Sequence, residues 1–159
     1  MSKTRTQGGK RVDNAMRALP RAHVVAGFPQ GDPKAMRDNG EMSNAALATV
    51  HNYGSPDQRI PPRPFMDGAM QDKEALRKIR ILQIGGLRRV LRGTADLKQI
   101  MGKTGEVMVD AIKDSIRNGS WVENKPSTIA RKGGGIGSSR PLIDTAQMLN
   151  SVSHKVVLK

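Results

Sequence analysis

Between positions 96 and 118, Leu97, Met101, Thr104, Met108, Ala111, Ile112 and Ser115 recur at steps of three and four. That spacing puts one stripe on a single helical face and predicts a helix over 96–118, with Gly119 as its C-cap. Residues 66–92 carry Met66, Ala69, Met70, Leu76, Ile79, Leu82, Leu87 and Val90 at approximate helical spacing, predicting a second long helix that kinks or breaks at Gly85-Gly86. Shorter patterns surround these two. A helix is expected from Arg11 to Leu19, halted by Pro20, and a strand over 22–28 (AHVVAGF), ended by Pro29, Gly31 and Pro33. Residues 43–54 predict a helix with Ser43 as N-cap and Gly54 just beyond its end. RIPPRPF, residues 59–65, is too rich in proline for a helix or a central strand and predicts a rigid extended arm. Towards the end of the chain, Ser127 is placed to cap one helical turn, Asp144 to cap a helix over 144–151, and 153–159 to form a strand.

Short strands near opposite ends of the chain and two long helices between them predict an α+β domain. Its small, mostly antiparallel sheet would pack with the two helices, leaving the proline arm and flexible loops outside. Residues 1–10, with Lys3, Arg5, Lys10, Gly8 and Gly9, are expected to be a flexible basic tail, and 11–159 a single domain. No internal repeat or heptad run is visible.

Composition thins the expected core. The chain is 36% hydrophobic and 3% aromatic, so Leu, Ile, Val, Met and Ala must fill the interior. A thin core in a domain of this size makes association with neighbours an expected source of stability. The formal net charge is +13, which draws the molecule to polyanions or to an acidic protein surface. Cysteine is absent, which removes disulfides and thiolate metal sites. The opening MSKTRTQGGKRV has no apolar segment, and no run of about 18 apolar residues occurs anywhere, so a soluble, unexported chain is expected, with no membrane partner.

Candidate chemistry is sparse. The loop KGGGIGSSR, residues 132–140, has neither the Gly-Lys-Ser/Thr that a P-loop needs around a terminal phosphate nor the third glycine of a dinucleotide fingerprint. His23, His51 and His154 are scattered without the i+3 or i+4 partners of a metal pair, and Asp110 and Asp114 share a helix face with Lys113 and Arg117, as a solvated surface would. No serine sits in a nucleophile elbow. The expectation is a non-enzymatic protein without a cofactor.

What does stand out is charge. Arg77, Lys78, Arg80, Arg88, Arg89 and Arg92 put six cations within sixteen positions, behind Asp67, Asp72 and Glu74 at the start of the same helical region. That polarity complements the helix dipole, but it exceeds what a dipole needs. The second reading is a basic face for DNA phosphates or an acidic partner, with any DNA contact indifferent to sequence. Lys132 and Arg140, which flank the glycines, are candidates to clamp phosphates or a neighbouring subunit. Within the proline arm, Phe65 is expected to be buried and the Arg63 guanidinium to meet a carboxylate or carbonyls.

Three ordered blocks, HNYGSPDQRIPPRPFM, NGSWVENKPSTIARKG and RPLIDTAQMLNSVSHKV, span roughly residues 50 to 158. Together they resemble the tail-completion proteins of long-tailed phages and prophages, the minor tail protein Z-like and virion-morphogenesis group. Members of that group show a His/Glu-aromatic-Gly turn, I-P-x-R-P-F, a tryptophan-led stretch ending T-I-x-x-K-G, and P-L-I-D-T-G before a closing strand. Two positions depart from the pattern. Asn52 stands where an acidic residue is common, and Ala146 replaces the glycine of D-T-G, which makes a continuous helix start the expectation there. The resemblance implies a structural virion protein of the neck or head-proximal tail, made in the host cytoplasm. It would form a ring with itself, a hexamer ahead of a dodecamer, beside neck, tail-terminator or tail-tube proteins and near the genomic DNA backbone. The alternative is a free basic nucleic-acid-binding protein.

Overall fold

The computed structural model describes residues 7–29, 42–132 and 139–158. The tail cations Lys3 and Arg5, the strand stops Gly31 and Pro33, the glycine-loop positions 133–138 and the last residue of the expected closing strand lie outside them. The chain runs through α1 (Gln7–Ala18), a tight helical turn (Leu19–Arg21), β1 (His23–Gly27), α2 (Asn44–Tyr53), α3 (Phe65–Met70) and α4 (Lys73–Leu91). It continues with α5 (Leu97–Asn118), α6 (Pro126–Arg131), α7 (Gln147–Asn150) and β2 (Ser153–Val157). β1 and β2 pair antiparallel, from His23 opposite Val157 to Gly27 opposite Ser153, which joins the two ends of the chain. The architecture is α+β, with α5 packed against both strands, α3 and α4.

The stripe that predicted α5 is the face it buries: Thr104, Ala111 and Ile112 are inside, joined by Val109 and Ile116. Asp96 caps the helix by accepting from the Lys98 N–H at 2.7 Å, which satisfies one of the donors a helix start leaves open. Gly119 ends it, but not as a left-handed cap, since its φ is −68°. A glycine is required there because the Trp121 ring lies across it; a Cβ would stand 2.2 Å from Cζ2.

The expected break at Gly85-Gly86 does not occur. α4 runs unbroken through both glycines, and the interruption falls earlier, where the Asp72 carboxylate accepts from the N–H groups of Glu74 and Ala75 at 2.9 and 3.1 Å and starts a new helix. Gly86 is instead a point where α4 packs close against α5, and a Cβ there would lie 2.2 Å from Ile100 Cγ2. A glycine inside a helix costs about 1 kcal/mol relative to alanine, which close packing of two helices offsets.

Four other boundaries differ from expectation. α1 reaches back to Gln7, so Gly8, Gly9 and Lys10 belong to a helix and not to the basic tail. α6 begins with Pro126 at its first position after Lys125, which places Ser127 inside the helix without a capping hydrogen bond. Asp144 does not cap α7: that helix starts after Ala146, which holds φ 57°, the left-handed region where the missing glycine would sit without strain. The continuous helix start is therefore corrected to a turn followed by a short helix. The arm is extended only over residues 60–64, because Phe65 opens α3 and Arg59 sits in a turn with φ 55°.

The core is divided and thin. Phe65, Val109, Ile112, Ile116, Leu142, Met148, Leu149 and Val152 centre the larger cluster, while Ala15, Val90, Ala95 and Leu97 form a second between α1, α4 and α5. Among the described residues, six of the sixteen buried hydrophobic side chains are alanines, so each contributes little area to burial.

Candidate functional site

The proline arm is an irregular segment anchored at several points by backbone and side-chain hydrogen bonds. Gly54 turns the chain out of α2 at φ 78°, and Ser55 pairs with Ile60 in an isolated bridge, their backbones bonding reciprocally at 2.9 Å. The arm then returns across α2, where the Arg63 N–H donates to the His51 carbonyl at 2.9 Å. Prolines cannot donate, so the arm's hold on the rest of the chain depends on the residues between them.

Arg63 provides that hold. Its side chain is buried, its Nε donates to the Val122 carbonyl at 2.9 Å, and its Nη2 donates to the Glu123 carbonyl at 3.4 Å and to Asn124 Oδ1 at 3.2 Å. Burial lowers its pKa from the ordinary arginine value, but a guanidinium keeps its charge at any working pH. Two residues on, Phe65 is fully buried in the larger core cluster. The Asn52 side chain caps α3 from α2, accepting from the Met66 N–H at 3.0 Å, and Ser115 Oγ donates to the Phe65 carbonyl at 2.8 Å. The position of Asn52 needs an acceptor oxygen against a helix N-terminus, which an amide supplies as a carboxylate would.

The contacts continue outward from Arg63. Asn124 Nδ2 donates to the Arg140 carbonyl at 3.2 Å, and Lys132 Nζ donates to the same carbonyl at 3.2 Å and to that of Ile143. Burial lowers the pKa of Lys132; nearby Asp144 opposes that shift and Arg63 adds to it. Lys132 is thus turned inward, joining the two ends of the glycine loop, whereas the Arg140 side chain is exposed. An open cavity of about 1110 Å³ lies beside this centre, with Arg59, Lys125 and Arg131 on its walls against Glu123 and Asp144. The polar side chains at the centre bind backbone carbonyls and amides, an arrangement that holds segments of chain together. Among the described residues, no group of three or more His, Asp or Glu could hold a metal ion.

The five cations of α4 and Arg92 at its C-cap are elsewhere. All are exposed. Arg77 and Lys78 approach Glu74 at 3.6 and 4.0 Å, pairs in water that contribute little, while Arg80, Arg88, Arg89 and Arg92 make no ion pair with a described residue. The structure therefore separates the candidates into two groups. Arg63, Phe65 and Lys132 are interior or inward-facing and hold the subunit together, which removes Arg63 and Phe65 from any outward-facing role in the isolated chain. The α4 cations share one open helix, apart from Arg140. Asn52, Ser115 and Asn124 were not legible as anchors, since a single polar residue in a helix or loop gives no periodic signal.

Comparison with known proteins returns no matching family model, curated protein or solved structure. Among the described residues, no helix is long and apolar enough to cross a membrane.

Proposed function

We propose that this chain is a structural component of a long-tailed phage particle, located in the neck or head-proximal tail, where copies assemble as a ring that completes the tail and helps join it to the head. One observation carries the reading. The three sequence blocks through which the chain resembles tail-completion proteins meet around Arg63: the arm of the first block bonds Val122, Glu123 and Asn124 of the second, and Asn124 and Lys132 bond Arg140 and Ile143 of the third. Short blocks matched by chance have no reason to share one hydrogen-bonded centre. The thin core and the open basic helix fit a subunit that neighbours complete.

Deleting the gene in the producing host tests this. The expected result is free heads and unjoined or incomplete tails by electron microscopy, with joined particles restored by the gene supplied in trans. Normal infectious particles that lack the protein would overturn the reading. The second reading, a free protein that binds nucleic acid through the backbone, draws on the net charge of +13 and the exposed arginines of α4. It predicts tight binding of duplex DNA regardless of sequence by the isolated chain, weakening steeply with salt.

A further inference from the structure

α4 carries two apolar stripes. The inner one, Ala75, Ile79, Leu82, Gly86 and Val90, steps by three and four and is turned towards α5, with Ala75, Gly86 and Val90 buried. The outer one runs Arg77, Ile81, Ile84, Arg88 and Leu91 at steps of four and three, so it occupies the opposite side of the helix. Ile81, Ile84 and Leu91 on it are 58%, 46% and 50% exposed, and Leu76 and Leu87 beside it are 50% and 37% exposed. Contact with DNA phosphates would explain the arginines but not five aliphatic side chains interleaved with them, which gain only by leaving water. The face fits a protein surface that is apolar at its floor and acidic at its rim.

The chain itself carries such a surface. Between α3 and α5 lies a shallow groove of about 360 Å³, floored by Ala69, Ala111 and Trp121 and rimmed by Asp72 and Asp114. Asp110, exposed one turn before Asp114 on α5, extends the acidic rim. Asp114 approaches Arg117 at 3.8 Å in an exposed pair, which leaves it able to exchange partners. The groove begins at Asp72, whereas Arg88 lies sixteen residues further along α4, about 24 Å away at a rise of about 1.5 Å per residue. The two surfaces of one copy therefore cannot meet each other. Pairing two copies α4 to α4 matches charge less well than the groove does: an antiparallel pairing centred on Ile81 and Ile84 brings Glu74 near Arg92 but sets Arg77 against Arg88, and a parallel one sets each cation against itself.

We infer that the outward face of α4 seats on the groove between α3 and α5 of a second copy of this chain, head to tail. The inference deepens the ring reading above and rests on it, because a contact between two different surfaces repeats from copy to copy until it closes. Arg88 and Arg92 meet Asp110 and Asp114 of the next copy, and Ile84 and Leu91 cover the groove floor.

Sedimentation velocity on the purified full chain tests the contact, using two variants whose substitutions lie on exposed positions and whose folding is checked by circular dichroism. Wild type is expected to associate beyond a dimer, less so as salt is raised. Arg88→Glu with Arg92→Glu, and separately Asp110→Lys with Asp114→Lys, are each expected to weaken association on the order of tenfold or more. An equimolar mixture of the two variants should associate again, since each retains the surface the other has lost. Monomeric wild type overturns the contact, as does loss of association in the arginine variant alone with no rescue on mixing, the result for an α4-to-α4 pair. Either outcome leaves the virion reading to stand or fall on the deletion experiment, whose readout is the particle and not the purified chain.

Discussion

The centre around Arg63 and the outer face of α4 are both rich in cations, yet they do opposite work. Arg63 has three acceptors from the 122–124 segment and is 4% exposed, so its removal takes away a buried side chain and three partly buried hydrogen bonds. The arginines of α4 stand in water, where each is already solvated and its loss costs the fold little. The difference teaches that a cation's worth to this molecule is set by what surrounds it. Buried, it specifies how segments join. Exposed beside aliphatic side chains, it specifies what the molecule can join to.

The sharpest break of that contrast is at the interior centre. Phe65→Ala is expected to cost about 3–5 kcal/mol and Arg63→Ala about 2–3 kcal/mol in urea unfolding, because the first leaves a cavity and the second loses a buried side chain with three partly buried hydrogen bonds. Losses under about 1 kcal/mol at both sites would mean that the arm is not structural.

Next in size, the two faces of α4 can be compared through its adjacent glycines. Gly86→Ala meets Ile100 and should cost about 1–3 kcal/mol by overpacking. Gly85→Ala meets nothing within 4 Å and should stabilise by about 0.5–1 kcal/mol, as alanine does in an open helix. Equal effects on the melting temperature would show that the two faces are not distinguished by packing.

Reversing Arg88 and Arg89 to Glu should lower stability by about 1–2 kcal/mol, since each reversal removes a favourable charge from the last turn of a helix and adds an unfavourable one. On the virion role proposed above, the same double variant should fail to support head–tail joining in the deletion background. Full complementation by it would reduce the α4 cations to helix design and solubility.

The smallest expected effect concerns Lys132. Its folded-state pKa is lowered by burial, so in the window between that value and the ordinary lysine value near about 10.4 the unfolded chain binds more protons than the folded one. Stability should therefore rise with pH through that window relative to a Lys132→Met variant, and the difference should be smaller below it. A difference between the two proteins that falls as pH rises through the window would contradict the inward placement of this side chain.

Much of the fold was legible because local rules governed it. The Ser43 cap is observed, with the Ala46 N–H donating to its Oγ at 3.1 Å, and the stripe of α5 is the face that is buried. The terminal strands and the burial of Phe65 followed from short valine-rich runs and from a lone aromatic beside prolines. The failures share one cause. Gly85-Gly86 reads as a break when only propensity is counted, and Gly119, although it is the expected C-cap of α5, is a glycine for a reason that position alone does not give. In both places the decisive atoms, Ile100 and Trp121, belong to a neighbouring segment. Likewise, Ala146 could not be read as a left-handed turn, since alanine disfavours that conformation unless surrounding structure imposes it.

By itself, then, the sequence determined where chain segments would be helical or extended, how little apolar material the core would contain, and which helix would carry excess positive charge. These follow from periodicity, composition and capping, whose physics acts over a few residues. Tertiary structure alone decided that Arg63 bonds carbonyls some sixty positions away, that Lys132 turns inward while Arg88 does not, and that the second apolar stripe of α4 stands exposed. A hydrogen bond or a buried face needs a partner brought close in space, and only the packing of distant segments determines which side chains have one.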